Sequence, residues 1–380
     1  MKAIYRVTTE ITGRKQPPVL PECNDAHENV AERFREHFSE KIMNVRSTLY
    51  HNDAPPPVLP IDNNHHHHSC EVTALLKKTG LDANDIKNYF PISNLSFVSK
   101  VLEIHVAVDL GCYIDENKLL DPFQSVYRPH HSTETALVRI HDDITQALDR
   151  RKGVILVLLD ITAAFDTVDH GILLKHMKSN GICESALAWI ASYLSDRTLA
   201  VKIEDAISRR QQLNCGVPQA SVLGPLLFTI YRMPLTAIFA RHHLNYHMYA
   251  DDSQLDVDFP RNQPCDADIA TRRIEACTTD IKRWMTSHQL LLNETKTETI
   301  VFYGRNARVP PAITPVDVCG CHITTQPTVR DIGIFLDSPA EWTCRYRCAR
   351  SGLSQTMLFR VAEDTDLYRR CQRLPTTSCQ

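Results

Sequence analysis

A chain of 380 residues, 43% of them hydrophobic and 23% charged, is long enough to bury a large core in two or three compact subdomains. Its net charge of −3 and pI near 6.6 argue against a histone-like or tail-driven nucleic-acid binder and leave any such contact to local patches. No apolar run reaches the roughly 18 residues of a membrane span, the N-terminus lacks a signal-peptide core, and 13 irregularly spread cysteines make no secreted disulfide framework; the chain reads as intracellular, in nucleus or cytoplasm, neither secreted nor transmembrane.

In chain order, residues 1 to about 22 look irregular. From His27 to Leu49, Val30, Phe34, Phe38, Ile42 and Val45 recur at three- and four-residue steps, which predicts an amphipathic helix. A Pro- and His-rich stretch over 51–70, including His65 to His68, reads as a linker. The continuous apolar run Val154 to Leu159 predicts a strand buried on both faces, ending at Asp160. Leu187, Ile190, Ala191 and Leu194, behind Glu184 and Ser185, predict a helix, and Gly216 to Gln219 a Pro-containing loop before an apolar helix.

Leu244 to Met248 and Ser253 to Phe259 alternate as two short strands, with the aspartates of Tyr249-Ala250-Asp251-Asp252 in the tight turn between them. Ile274, Cys277, Ile281, Trp284 and Met285 predict a helix from about 270 to 292, followed by a strand over Glu298 to Tyr303. In the C-terminal stretch Arg345, Arg347, Arg350, Arg360, Arg369, Arg370 and Arg373 outnumber the acids, as a nucleic-acid contact or a solvated helix face. Cys319, Cys321, Cys344 and Cys348 have spacings unlike the usual paired zinc knuckles.

Asp160 at a strand end and Asp251 and Asp252 at a hairpin tip would display carboxylates at one sheet edge. Paired carboxylates on rigid strands suit Mg²⁺, which takes oxygen ligands and usually binds one or two carboxylates plus substrate phosphates. An adjacent Asp pair is also ordinary turn chemistry, so the pair alone does not decide the matter.

Five ordered blocks carry a more specific signal. They are Leu76-Lys77-Lys78 through Asn88-Tyr89-Phe90-Pro91-Ile92-Ser93-Asn94-Leu95 to Glu103; Phe123 to Pro129 with His131 to Leu137; Leu159-Asp160 through Phe165-Asp166 to His170; Gly216-Val217-Pro218-Gln219-Ala220 through Phe228, leading to the Tyr-Ala-Asp-Asp hairpin; and Trp284-Met285 through Asn293 to Lys296-Thr297-Glu298. Together, over about Leu75 to Asp337, they resemble the reverse transcriptase domain of LINE-type (non-LTR) retrotransposons.

The resemblance implies an α+β right-hand polymerase fold, with an antiparallel palm sheet backed by helices and an incomplete thumb. It divides the chain into an N-terminal segment and helix (1–50), the linker (51–70), a fingers-like region (71–152), a palm-like catalytic region (153–304) and a primer-grip-like strand region with an Arg-rich tail (305–380). Val329 to Asp337 resembles the short hairpin that holds a primer terminus. It further implies an RNA-directed DNA polymerase using two Mg²⁺ ions, or Mn²⁺, with an RNA template, a DNA primer and deoxynucleoside triphosphates as partners and no membrane.

By the same resemblance Asp160, Asp251 and Asp252 are the catalytic metal ligands, and Lys296 neutralises or protonates departing pyrophosphate. Phe165 lies under the incoming sugar or is an ordinary buried ring, Gln219 sits near the nascent base pair, and Lys77, Lys78 and Arg128 are phosphate contacts.

Three positions depart from the family pattern. Phe90 stands where an arginine associated with the triphosphate is usual, and Val126 and Ala220 stand where glycines are usual; positive φ at either would strain the backbone, most severely at β-branched Val126. With no endonuclease domain and little chain after Asp337 to form a thumb, the sequence reads as a fragment of a longer reading frame. The alternative is a catalytically impaired, reverse-transcriptase-derived nucleic-acid binder or relic.

Overall fold

The structure, a computed structural model, describes residues 27–49, 69–77, 80–128, 131–263, 265–303, 315–318 and 320–338. The N-terminal segment, nearly all of the linker, Lys78, Cys319, Cys344, Cys348 and the Arg-rich tail lie outside the described residues.

Helix α1 spans His27–Leu49 and buries the stripe Val30, Phe34, Phe38 and Val45. Val30, Phe34 and Phe38 pack on strands β1 (Ser69–Leu76), β2 (Tyr89–Asn94) and β5 (Arg197–Ile203) through Val72, Ala74, Tyr89, Leu199 and Val201. In this flanking sheet β1 pairs antiparallel with β2 and parallel with β5, which also pairs β6 (Ala206–Ile207) and β7 (Gln211–Leu213). Arg46 of α1 reaches beyond that sheet to Asp169, 2.8 Å away.

Helices α2 (Phe97–Glu116) and α3 (Thr133–Asp149) start where Ser96 and Ser132 accept backbone N–H groups of Ser99 and Thr135. Such side-chain caps satisfy donors that a helix start leaves unpaired. Asp169 does the same for α4 (His170–Ser179) by accepting from Ile172. Helix α5 (Glu184–Leu194) buries Ile190, Tyr193 and Leu194.

The central sheet has the order β14 (Thr325–Gln326), β11 (Glu298–Phe302), β3 (Gly153–Leu159), β9 (Asp252–Phe259), β8 (Asn245–Tyr249). Strand β3 is buried at every residue, flanked antiparallel by β9 and β11. Strand β8 pairs β9, and β14 runs parallel to β11. Ile155, Val157 and Leu159 point into the large core with α6 (Gly224–Arg232) and α8 (Asp266–Ser287), while Val154, Leu156 and Leu158 meet Leu137, Ile140 and Ile144 of α3. Burial on both faces explains the unbroken apolar run. Truncating Leu156 to Ala would cost roughly 2–5 kcal/mol.

A short helix α7 (Thr236–Arg241) leads into β8, and β12 (Val316–Val318) with β13 (Cys321–Ile323) forms a small ribbon beside α8. Strands β15 (Thr328–Asp331) and β16 (Ile334–Asp337) make the expected short hairpin, with Ile332 and Gly333 both at positive φ in its turn. Among the described residues no helix is long and apolar enough to cross a membrane.

Three expectations need correction. The helix predicted to about 292 ends at Ser287: Gln289 turns to φ 54°, and Leu291–Leu292 becomes strand β10, paired with β4 (Ile161–Thr162). Asp252 is not in the turn but opens β9 opposite Tyr249. Val126 is not at positive φ; its neighbour Tyr127 takes that conformation, at 58°.

Candidate functional site

The register of the central sheet builds the site. Leu159 pairs Ser253, so Asp160, one residue beyond β3, comes beside the start of β9, where Asp252 and the turn residue Asp251 stand. Ala250 completes the turn at φ 55°, a left-handed conformation that costs an L-residue about 1–2 kcal/mol. The chain after α8 closes the other side: the Asn293 N–H donates to the Asp160 carbonyl at 2.8 Å, and the Lys296 ammonium lies 3.5 Å from Asp160 Oδ2.

Like charges are crowded here. Burial raises the Asp160 carboxyl above its usual range; Lys296 opposes this and Asp251 adds to it. Asp252 keeps solvent contact, yet the surrounding protein and the charges of Asp251, Asp331 and Asp160 push it up to about 7. Asp160 Oδ2 is buried with no hydrogen-bond partner among the described residues. A buried carboxylate oxygen beside two further carboxylates, with one ammonium 3.5 Å away, fits a hard divalent cation. Among the described residues no three His, Cys, Asp or Glu side chains form a ready metal cage.

On the neighbouring side, the half-buried Phe165 ring packs on Phe228 at 4.7 Å between centroids. Gln219 donates through Nε2 to Asp166 Oδ1 at 2.6 Å, and its carbonyl accepts from Ser93 of β2 at 3.1 Å. The following residue, Ala220, stands at φ 65° where glycine was expected, so the anticipated strain is present at this position. Lys41 of α1 lines a cavity of about 40 Å³ together with Ser93, Asp166, Pro218 and Gln219. Lys77 is exposed, yet the surrounding protein, and then the charges of Lys41 and Lys296, hold it below the usual lysine range. Lys77 Nζ donates to the Lys87 carbonyl at 2.5 Å and Arg128 Nη1 to the Asp121 carbonyl at 3.3 Å.

The structure thus brings Asp160, Asp251, Asp252 and Lys296 together and places Phe165 and Gln219 around Asp166. The contacts of Lys77 and Arg128 do not involve the carboxylates.

Two supporting residues escaped the sequence reading. Glu103 of α2, 1% exposed, accepts from the N–H groups of Val222 (2.6 Å) and Leu223 (3.3 Å) and from the Tyr193 hydroxyl (3.2 Å), fixing the segment between Gln219 and α6. Arg232, 2% exposed at the end of α6, donates to the Ala250 carbonyl and to Ser253 Oγ. An arginine in the mostly apolar run Leu226 to Leu235 was the available signal, since Arg is almost never fully buried unless paired.

A helix-backed, mainly antiparallel sheet with three carboxylates at one edge is consistent with the α+β fold of a polymerase. The family model described as reverse transcriptase (RNA-dependent DNA polymerase) matches residues 75–334, and the chain belongs to that family. Similar proteins are the probable RNA-directed DNA polymerase from transposon BS of Drosophila melanogaster, 28% identical over 302 residues, covering 78% of this chain and 32% of that protein, and the RNA-directed DNA polymerase from mobile element jockey of the same fly, 27% identical over 269 residues, covering 69% and 28%. These relatives are non-LTR retrotransposon polymerases, and the chain spans about a third of their length or less.

Among solved structures the fold resembles telomerase of Candida albicans, with a TM-score of 0.54, 11% identity, and coverage of 87% of this chain and 51% of that one. It also resembles apo telomerase of Candida tropicalis truncated from its C-terminal domain, at 0.51, 10%, 84% and 61%. Reverse transcriptases generally use divalent metal ions.

Proposed function

We propose that this chain is the RNA-directed DNA polymerase domain of a non-LTR retrotransposon, adding deoxynucleotides to a DNA primer 3′ end on an RNA template. The observation that carries this reading is the convergence of Asp160, Asp251 and Asp252 at one sheet edge, with Asp160 Oδ2 buried and the Lys296 ammonium 3.5 Å from it. Asp160 and Asp251 would hold two Mg²⁺ ions, with Asp252 beside them, and Mn²⁺ could substitute. Bound there, the ions would activate the attacking oxygen and stabilise the leaving one.

The chain's own residues do the rest. Lys296, ion-paired to Asp160 and 69% exposed, can reach the departing pyrophosphate and offset its charge. Phe165, braced by Phe228, offers a ring edge to the incoming sugar, where a 2′-hydroxyl would meet it. Gln219, tied to Asp166, shapes the floor under the nascent base pair. Lys77, Lys78 and Arg128 supply positive charge for phosphates of nucleotide or template.

The test is Mg²⁺-dependent extension of a DNA primer on an RNA template. Asp251→Asn should lower incorporation by on the order of 10³-fold or more, beyond the loss from one transition-state donor; undiminished activity would sink the assignment.

A second reading, a nucleic-acid binder with an impaired nucleotide grip, is favoured by Phe90 at the usual arginine position and by Ala220 at φ 65°. It predicts no extension by the natural chain and salt-sensitive binding of RNA or DNA that survives Asp251→Asn.

A further inference from the structure

The end of α6 places a guanidinium directly beneath the carboxylate turn. Helix α6 is mostly apolar, with Leu227, Phe228, Ile230 and Tyr231 all buried beside Thr229, and Arg232 lies among them at 2% exposure. Taking a guanidinium out of water is costly unless its donors are used. Nη1 donates to the carbonyl of Ala250, the residue at φ 55°, and Nη2 donates to Oγ of Ser253. These two acceptors flank Asp251 and Asp252, one on each side of the pair.

The third face of the guanidinium is not used in the same way: Nε is buried without a hydrogen-bond partner among the described residues. The cation is therefore held for what its two outer nitrogens grip. Beside it lies a cavity of about 10 Å³ lined by Gln124, Thr229, Met248 and Ala250, too small for more than about one water.

We infer that Arg232 is the positioning residue of the carboxylate turn, its fork clamping the Ala250 carbonyl and Ser253 Oγ so that Asp251 and Asp252 stand at the sheet edge beside Asp160. The clamp stabilises a left-handed alanine that the local backbone disfavours. It also sets a positive charge under two carboxylates that repel each other. Burial lowers the guanidinium to about 10 while Asp251 and Asp252 oppose the shift, so it remains protonated at neutral pH. A lysine would keep the charge but present a point donor in place of a planar fork. The consequence for catalysis rests on the polymerase reading above, whereas the tether itself does not.

The experiment compares the full chain with Arg232→Lys and Arg232→Met by amide hydrogen exchange and by single-nucleotide incorporation. Both substitutions should speed exchange at Ala250 to Ser253 well beyond any change elsewhere. Both should lower the incorporation rate at saturating nucleotide by on the order of 10²-fold, as a misplaced reacting group does, with the nucleotide KM within about threefold because nucleotide binding is not the step disturbed.

Parental exchange and rate in Arg232→Lys would reduce the residue to a charge and overturn the clamp. So would faster exchange spread evenly over the chain, or a loss confined to KM. If neither variant folds, Ser253→Ala removes one acceptor without burying a new group: a smaller change in the same two readouts supports the clamp, and none overturns it. If the parent chain does not polymerise, the polymerase reading fails while exchange at the turn still decides the tether.

Discussion

At the carboxylate edge, Asp160, the turn residue Asp251 and Asp252 at the start of β9 ride on strands locked between two cores, with β3 buried at every residue and Arg232 beneath the turn. On the side built from β1, β2 and the Gln219 loop, the expected contacts Lys77 and Gln219 and the departing positions Phe90 and Ala220 are exposed or half-buried. The difference separates two ways of making a site. Where packing dictates the backbone, three repelling carboxylates can be held together; where contact depends on individual side chains at the surface, a single substitution alters the chemistry without disturbing the fold.

The largest test of that contrast is in the rigid half. Asp256, 7% exposed on β9 and bonded to Asn245 at 2.9 Å, is pushed up to about 7, chiefly by burial. Its folded pKa lies above the unfolded value near 4, so the folded state keeps a proton that the unfolded chain releases. Stability from this group is fully present below about pH 4, falls as pH rises towards 7, and is lost above it, by on the order of 4 kcal/mol. Asp256→Asn, which can still accept from Asn245, should flatten urea-denaturation stability against pH and raise it at pH 8. An unchanged slope would show that the sheet relaxes around the charge.

A smaller effect is expected on the nucleotide side. Phe90→Arg should lower the nucleotide KM by about tenfold, roughly 1.4 kcal/mol, the scale of a charge-assisted hydrogen bond to phosphate, and leave the melting temperature nearly unchanged. A large change in stability instead would mean that Phe90 is part of the packing. The smallest is Ala220→Gly, which should relieve the positive φ and stabilise the chain by about 0.5–1 kcal/mol; a destabilised variant would show that the alanine methyl is needed for contact.

Much of this was legible before the structure. Helix α1, strand β3 and the β8–β9 hairpin follow from periodicity because each presents a regular apolar face to a core. Asp160, Asp251 and Asp252 could be named because they end or begin such elements. The end of α8 could not, since Leu290 to Leu292 continue the apolar pattern of the helix while a distant partner, Ile161–Thr162, takes Leu291 and Leu292 into a strand. Glu103 and Arg232 were missed for a related reason. Their meaning lies in contacts with Val222, Leu223, Ala250 and Ser253, which no local pattern encodes.

The Arg46–Asp169 pair, which ties α1 across 123 residues of chain, has a consequence in time. At translation rates of about 5–20 residues per second, roughly 6–25 s pass between synthesis of the two partners. Throughout that interval Phe34 and Phe38 have no β5 to cover them. Helix α1 therefore completes its docking only after β5 is made, and on the ribosome part of its apolar stripe stays open to chaperones and proteases until then.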